Sequence, residues 1–241
     1  MEADIFIPCF VDQLYPESGF SLVKVLEKFD VRVHYNANQT CCGQMAFNSG
    51  FWDEAKELGI KFIQDFNTGR PVVGISASCL GYVKKHFEKL FYNTPWHLEN
   101  HKLQSHLFEV TDFLVNVLKI KDIDATFNAK ITFHDSCAAL REYGLKDEPR
   151  ILLRMIKGLE LVEMVDRDTC CGFGGTFAVK FEAISSAMTE QKVKNAMDTG
   201  AEYIVSTDLS CLMQMESYIK KQKLNIKTMH IIDLLAKSMA L

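Results

Sequence analysis

The chain lacks any long apolar run: nowhere in its 241 residues is there the stretch of roughly 18 apolar positions that a membrane-spanning helix needs. The N-terminus, Met1-Glu2-Ala3-Asp4, has no basic segment of the kind that opens an export signal, so a cytoplasmic location is expected. Charge of one sign is scarce, with a formal net charge of −4. That balance offers no global attraction to nucleic acid or to an anionic membrane. Lys84, Lys85 and Lys89 make only a local basic patch, read as a solvated helix face. Catalytic signatures are also missing. Gly172-Phe173-Gly174-Gly175 is followed by Thr176 where a phosphate-binding loop carries Lys, and it is too compressed for a dinucleotide fingerprint. No Ser-His-Asp grouping and no flavin or nicotinamide signature is present. With 48% hydrophobic and 24% charged residues the composition is that of a globular protein able to bury a sizeable core.

What is present is cysteine in a pattern. The eight cysteines fall into two sets, Cys9, Cys41, Cys42 and Cys79, then Cys137, Cys170, Cys171 and Cys211, with none left over. The intervening lengths are 31 and 36 residues in the first set and 32 and 39 in the second. In a reducing compartment such a patterned set points to metal or redox chemistry rather than to a disulfide framework.

The flanking segments repeat as well. Ile5-Phe6-Ile7-Pro8 before Cys9 matches Ile131-Thr132-Phe133-His134-Asp135-Ser136 before Cys137, and both read as buried strands ending at a cysteine. Helical patterns follow from Phe20 and from Ile151. Second strands are expected at Val31–Tyr35 and Leu161–Val165, each leading to a Cys-Cys pair. Long helices, Phe51–Phe66 and Ile184–Met197, stop at Asn67-Thr68-Gly69 and Asp198-Thr199-Gly200. Third strands, Val72–Ile75 and Tyr203–Val205, precede Ser78-Cys79 and Ser210-Cys211. Val110–Leu114 echoes Ile231–Leu235, in helices. Nothing resembles a low-complexity linker. The expected fold is α/β: two similar Rossmann-like βαβ domains with parallel sheets, 1–122 and 123–241, related by an internal pseudo-twofold, with the boundary near Lys119 to Thr126. In such sheets sites form beyond the carboxyl ends of the strands, where all the cysteines fall.

A vicinal cysteine pair suits one tetrahedral ion poorly, because zinc sites favour Cys-x2–4-Cys knuckles. An iron–sulfur cluster is larger, and adjacent thiolates can reach different irons of it. Gly43 and Gly172 allow a tight turn whose amides can donate to sulfur, and His134 is a candidate outer partner or proton-handling group. Ser78 and Ser210 are read as N-caps placing Cys79 and Cys211 at helix N-termini, where the dipole favours thiolate. Zinc in at least one unit and structural thiols stay open as alternatives. Arg141 is either a carboxylate binder or a surface ion pair, and Glu142 follows it. Leu212, Met215 and Ile219 read as core.

The runs Cys9…Cys41-Cys42-Gly43…Ser78-Cys79 and His134-Asp135-Ser136-Cys137…Cys170-Cys171-Gly172-Phe173-Gly174-Gly175…Asp208-Leu209-Ser210-Cys211 resemble tandem CCG cysteine-rich domains. Such domains occur in heterodisulfide reductase and in the iron–sulfur subunits of glycolate and glycerol-3-phosphate oxidases. Over essentially the whole chain the likeness is to the two-domain lactate utilisation protein A family. The resemblance implies iron–sulfur binding, one cluster per domain and [4Fe-4S] in type, held by the four cysteines of each set. It also implies an electron-transfer part in oxidising L-lactate to pyruvate, with a companion iron–sulfur protein and a third subunit, and a small 2-hydroxy acid as a conceivable ligand. The heterodisulfide reductase pattern has five thiols per unit; here the extra positions are Ser76 and Asp208, which favours four-thiolate sites over that pattern's thiol/disulfide chemistry.

Overall fold

A computed structural model describes the whole chain, Met1–Leu241. The first half runs β1 (Glu2–Phe6), α1 (Cys9–Leu14), α2 (Pro16–Lys28), β2 (Arg32–Tyr35), α3 (Gln44–Asn48), α4 (Trp52–Asp65), β3 (Val72–Gly74), α5 (Ala77–Phe91), α6 (His97–Ser105), β4 (Leu107–Glu109) and α7 (Val110–Asp112), which continues as a π-helix over Phe113–Val117. The second runs β5 (Thr126–Phe133), a π-helical turn over Ala139–Tyr143, α8 (Glu148–Arg154), β6 (Lys157–Leu161), α9 (Thr176–Lys180), α10 (Glu182–Met197), β7 (Tyr203–Ser206), α11 (Leu209–Gln222), β8 (Lys227–His230) and α12 (Ile231–Ser238). Both sheets are four-stranded and wholly parallel, in the orders β2-β1-β3-β4 and β6-β5-β7-β8, so one topology is used twice.

The central strands β1, β3, β5 and β7 carry the uninterrupted apolar runs because helices cover them on both sides. Ala3, Ile5, Val73, Ile131 and Ile204 are buried in one core that passes without a break from half to half. The amphipathic helix α2 places Leu22, Val25 and Leu26 in that core, beside Ile232 and Leu235 of α12. Fully burying each such side chain contributes about 1.5–3 kcal/mol. Ser18 Oγ fixes this helix pair by donating to Asp233 Oδ2 at 2.7 Å. A second core of Phe6, Phe62, Phe66, Phe87 and Phe91 lies on the other face of the first sheet.

Two sequence expectations need correction. The second strand of the second half is Lys157–Leu161, earlier than Leu161–Val165, because β5 begins early and carries a register shift between Thr126 and Ala129. The edge strands β4 and β8 have no counterpart among the strands expected from sequence. Each is only three or four residues long and runs straight into a helix, too short for a period-2 pattern to show.

The halves meet at matched positions. Ser76 and Asp208, each the N-cap of the helix after the third strand, are hydrogen bonded to each other at 3.2 Å. Matched residues contact each other in this way where a twofold relation passes between them. Nearby, α5 lies against the 139–143 turn. A Cβ on Gly81 would stand 2.9 Å from Glu142 Cβ and 3.0 Å from the Tyr143 amide nitrogen, so only glycine permits that approach.

Candidate metal centres

Each quartet is assembled the same way. Cys9 opens α1 just beyond β1, and Cys137 lies just beyond β5. The vicinal pairs sit in the loop after the second strand, and Cys79 and Cys211 lie in the first turns of α5 and α11. The sulfurs form a chain of neighbours, Cys9–Cys41–Cys42–Cys79 in one half and Cys137–Cys170–Cys171–Cys211 in the other. Thus the fold brings together all eight cysteines in the two sets that the spacing defines. All eight are free thiols; Cys9 is exposed, while Cys42, Cys171 and Cys211 are buried.

Proton sharing along each chain is uneven. Cys41 is driven down to about 3 by the hydrogen bonds it accepts from Cys42 and then Cys9. Cys170 is likewise lowered by Cys137 and Cys171. The donors Cys9, Cys42, Cys137 and Cys171 are pushed up, first because their protons are held by the neighbouring sulfur. The surroundings of the first cysteine of each vicinal pair thus favour its thiolate form. The glycine turns add to this. Gly43 N–H donates to Cys41 Sγ and Gly172 N–H to Cys170 Sγ, each at 3.4 Å. Both glycines have φ near +90°, at +91° and +92°. A Cβ on Gly172 would also fall 2.5 Å from Ser185 O, so no other residue fits.

The expected helix caps are displaced. Ser76 and Asp208, not Ser78 and Ser210, are the N-cap residues, because β3 and β7 end two residues sooner than Ser78 and Ser210 would require. Ser76 Oγ accepts from Cys79 N–H at 3.4 Å. Asp208 makes no cap bond to its own helix. Its Oδ1 instead accepts from Ser78 N–H at 3.1 Å and Ser78 Oγ at 2.7 Å in the other half. The positions of the extra thiols in the five-thiol pattern are thus occupied by oxygen side chains bonded to one another.

Behind the thiols the two halves differ. A Cβ on Gly43 or Gly172 would meet Ala55 and Leu58, or Ser185 and Met188, so these are matched residues. Seven positions on lie Phe62 and Lys192. Phe62 packs edge-on against Phe6 at 4.9 Å. The counterparts in the second half are His134 in place of Phe6 and Lys192 in place of Phe62, both 1% exposed or less. Burial, then Lys192, depress His134 to about 3 and keep its imidazole neutral. Lys192 donates to the Asp166 carbonyl and places positive charge beside Cys171, which favours a net-negative group there.

Several supporting residues gave no sequence signal, since each acts through a distant partner. Arg150, 5% exposed, forks onto Asp135 at 2.8 and 2.7 Å and onto Glu163 at 2.6 and 3.0 Å, bracing the loop that carries His134 and Cys137. Thr189 Oγ1 and Ser185 Oγ donate to the Cys171 and Gly172 carbonyls, both at 2.8 Å, and Gln214 binds both hydroxyls. Arg141 is exposed and its guanidinium is in neither an ion pair nor the cleft, whereas Glu142 pairs with His86 at 3.4 Å. Lys84 is drawn inward, 4.4 Å over the Tyr143 ring, rather than solvated. Leu212, Met215 and Ile219 are core, as expected.

A cleft of about 180 Å³ opens between the halves, over the second quartet only. All four of that set's thiols line it, opposite Gln44, Met45, Asn48 and Ser78 of the first half. No helix is long and apolar enough to cross a membrane.

The family described as "Cysteine-rich domain", CCG, matches the chain twice, over residues 3–84 and 131–216. Lactate utilization protein A of Oceanobacillus iheyensis is 38% identical over 98% of this chain and 96% of its own length. The protein of the same name from Bacillus subtilis is 38% identical over 98% and 99%. Lactate utilization protein A 2 of a Bacillus cereus strain is 35% identical over the full length of both. Among solved structures, a hypothetical protein from Helicobacter pylori superposes with a TM-score of 0.65 at 13% identity. It covers all of this chain, which spans 49% of that structure's length, and it shows the fold alone.

Proposed function

The chain belongs to the lactate utilization protein A family, built from two CCG cysteine-rich domains, and on that premise we propose that it is the iron–sulfur electron-transfer subunit of a multi-protein system oxidising L-lactate to pyruvate. Residues 1–122 hold one [4Fe-4S] cluster through Cys9, Cys41, Cys42 and Cys79. Residues 123–241 hold another through Cys137, Cys170, Cys171 and Cys211. Bound clusters supply one-electron chemistry, with a potential tuned by hydrogen bonds to sulfur and by burial.

The observation that carries this reading is the repeated chain of four sulfurs at the carboxyl ends of two identically ordered sheets. In the first half no three of the four sulfurs lie within 4.8 Å of one another, a spread that suits a cluster better than a single tetrahedral zinc. The glycine-turn amides and the low proton affinity of Cys41 and Cys170 prepare thiolates to receive iron. The hydrogen-bonded Ser76–Asp208 pair favours four thiolates per half over five. A companion iron–sulfur protein and a third subunit are the expected partners, and the protein works in the cytoplasm.

The test is anaerobic purification with iron, sulfide and zinc analysis, and EPR before and after dithionite. About eight irons and eight sulfides per chain with a reducible signal are expected for two tetranuclear clusters. Zinc in both halves with no iron overturns the electron-transfer role.

A further inference from the structure

His134 is the one side chain beside either quartet that can bind metal and has no other task. It is 0% exposed, and neither ring nitrogen has a hydrogen-bond partner. A buried polar group left unpaired costs about 1–3 kcal/mol, and buried polar groups are almost always satisfied. Its backbone is fixed at the end of β5, donating to Val205 O at 2.8 Å and accepting from Ser206 Oγ at 3.0 Å. A ring nitrogen of His134 and the sulfurs of Cys171 and Cys211 all lie within 4.8 Å of one another, and all three residues are buried. The other compact trio, Glu88, His97 and His101, differs: there the carboxylate already pairs with the two imidazoles at 4.0 and 3.2 Å on the surface.

We propose that His134 is a nitrogen ligand of the metal group in the second half, beside Cys171 and Cys211. The proposal rests on the reading that the second quartet holds metal. The first half has no equivalent, since Phe6 stands at that position and packs edge-on against Phe62. With His134 the second half offers five donors, four sulfurs and one nitrogen, where the first offers four sulfurs.

The test uses the full chain, reconstituted anaerobically with ferrous iron and sulfide, grown with 15N-histidine, and carrying Cys42→Ser to empty the first half. Pulsed EPR of the reduced protein is expected to show a 15N coupling at the remaining centre. His134→Phe should abolish it and shorten iron retention against a chelator. The double variant His134→Phe/Lys192→Phe recreates the aromatic pair of the first half, and circular dichroism of both variants checks that loss of coupling is not loss of fold. Iron in the second half with no 15N coupling overturns the ligand assignment and leaves the cluster reading standing. Zinc in the second half, with a nitrogen scatterer in X-ray absorption that His134→Phe removes, supports the ligand and overturns the cluster. Zinc held by sulfur alone, or no metal there, overturns both.

Discussion

Asp208 of the second half accepts hydrogen bonds from both the amide and the hydroxyl of Ser78 in the first, at 3.1 and 2.7 Å, through a single carboxylate oxygen. The contact joins the starts of α5 and α11, whose partial positive ends both favour a buried carboxylate. Asp208→Ala should strand Ser78 N–H and two serine hydroxyls at a buried interface, at about 1–3 kcal/mol for each group left unsatisfied. Asp208→Asn, which keeps an acceptor, should cost less. Thermal denaturation decides: an Ala variant as stable as the parent refutes the bridge.

The thiol assignment makes a selective prediction. Cys171→Ser should empty the second half and Cys42→Ser the first, each leaving the other centre in place. Iron analysis and EPR of the anaerobic proteins check this, and full iron in either variant refutes that ligand.

Arg150 is buried with two carboxylates, Asp135 and Glu163, on its fork. Removing one partner of a buried ion pair costs about 3–5 kcal/mol where it leaves the charge uncompensated; here Arg167 remains 3.4 Å from both carboxylates, so the cost is smaller. Arg150→Met should lower the unfolding free energy by about 1–3 kcal/mol, read as a lower urea midpoint, with Arg150→Lys in between because it keeps charge but loses the fork. An unchanged midpoint for Arg150→Met would remove the bracing role assigned to it.

Glu109 gives a pH dependence of known sign. Burial lifts its carboxyl from the ordinary 4.5 to about 8, even though Oε2 accepts from Thr111 N–H at 2.7 Å and Asp112 N–H at 3.3 Å. Folding therefore favours the protonated form. Its contribution is complete below the ordinary value and is lost as pH rises through about 8. Glu109→Gln is neutral throughout and keeps an acceptor. The variant should gain stability relative to the parent as pH rises from about 4.5 to about 8 and hold that gain above it, measured by urea denaturation. A difference that does not vary with pH would contradict the buried acid.

Much of this molecule follows from local pattern. The apolar runs around Ile5, Val73, Ile131 and Ile204 and the Gly-terminated helices after each Cys-Cys pair mark parallel βαβ units, because both periods are properties of neighbouring residues. The spacing of the eight cysteines defines two quartets, since one topology used twice returns matched residues to matched places. Tertiary structure decided the rest. Only packing shows that β4 and β8 pair at the sheet edges, that Ser76 and Asp208 cap the helices and meet each other, and that Arg150 holds Asp135. Each depends on partners far apart in the chain, which periodicity cannot see. The same holds behind the thiols. The sequence alone places His134 against Phe6; the fold adds Lys192 against Phe62 and closes the solvent away from both, which turns a one-letter difference between the repeats into two chemically unlike sites.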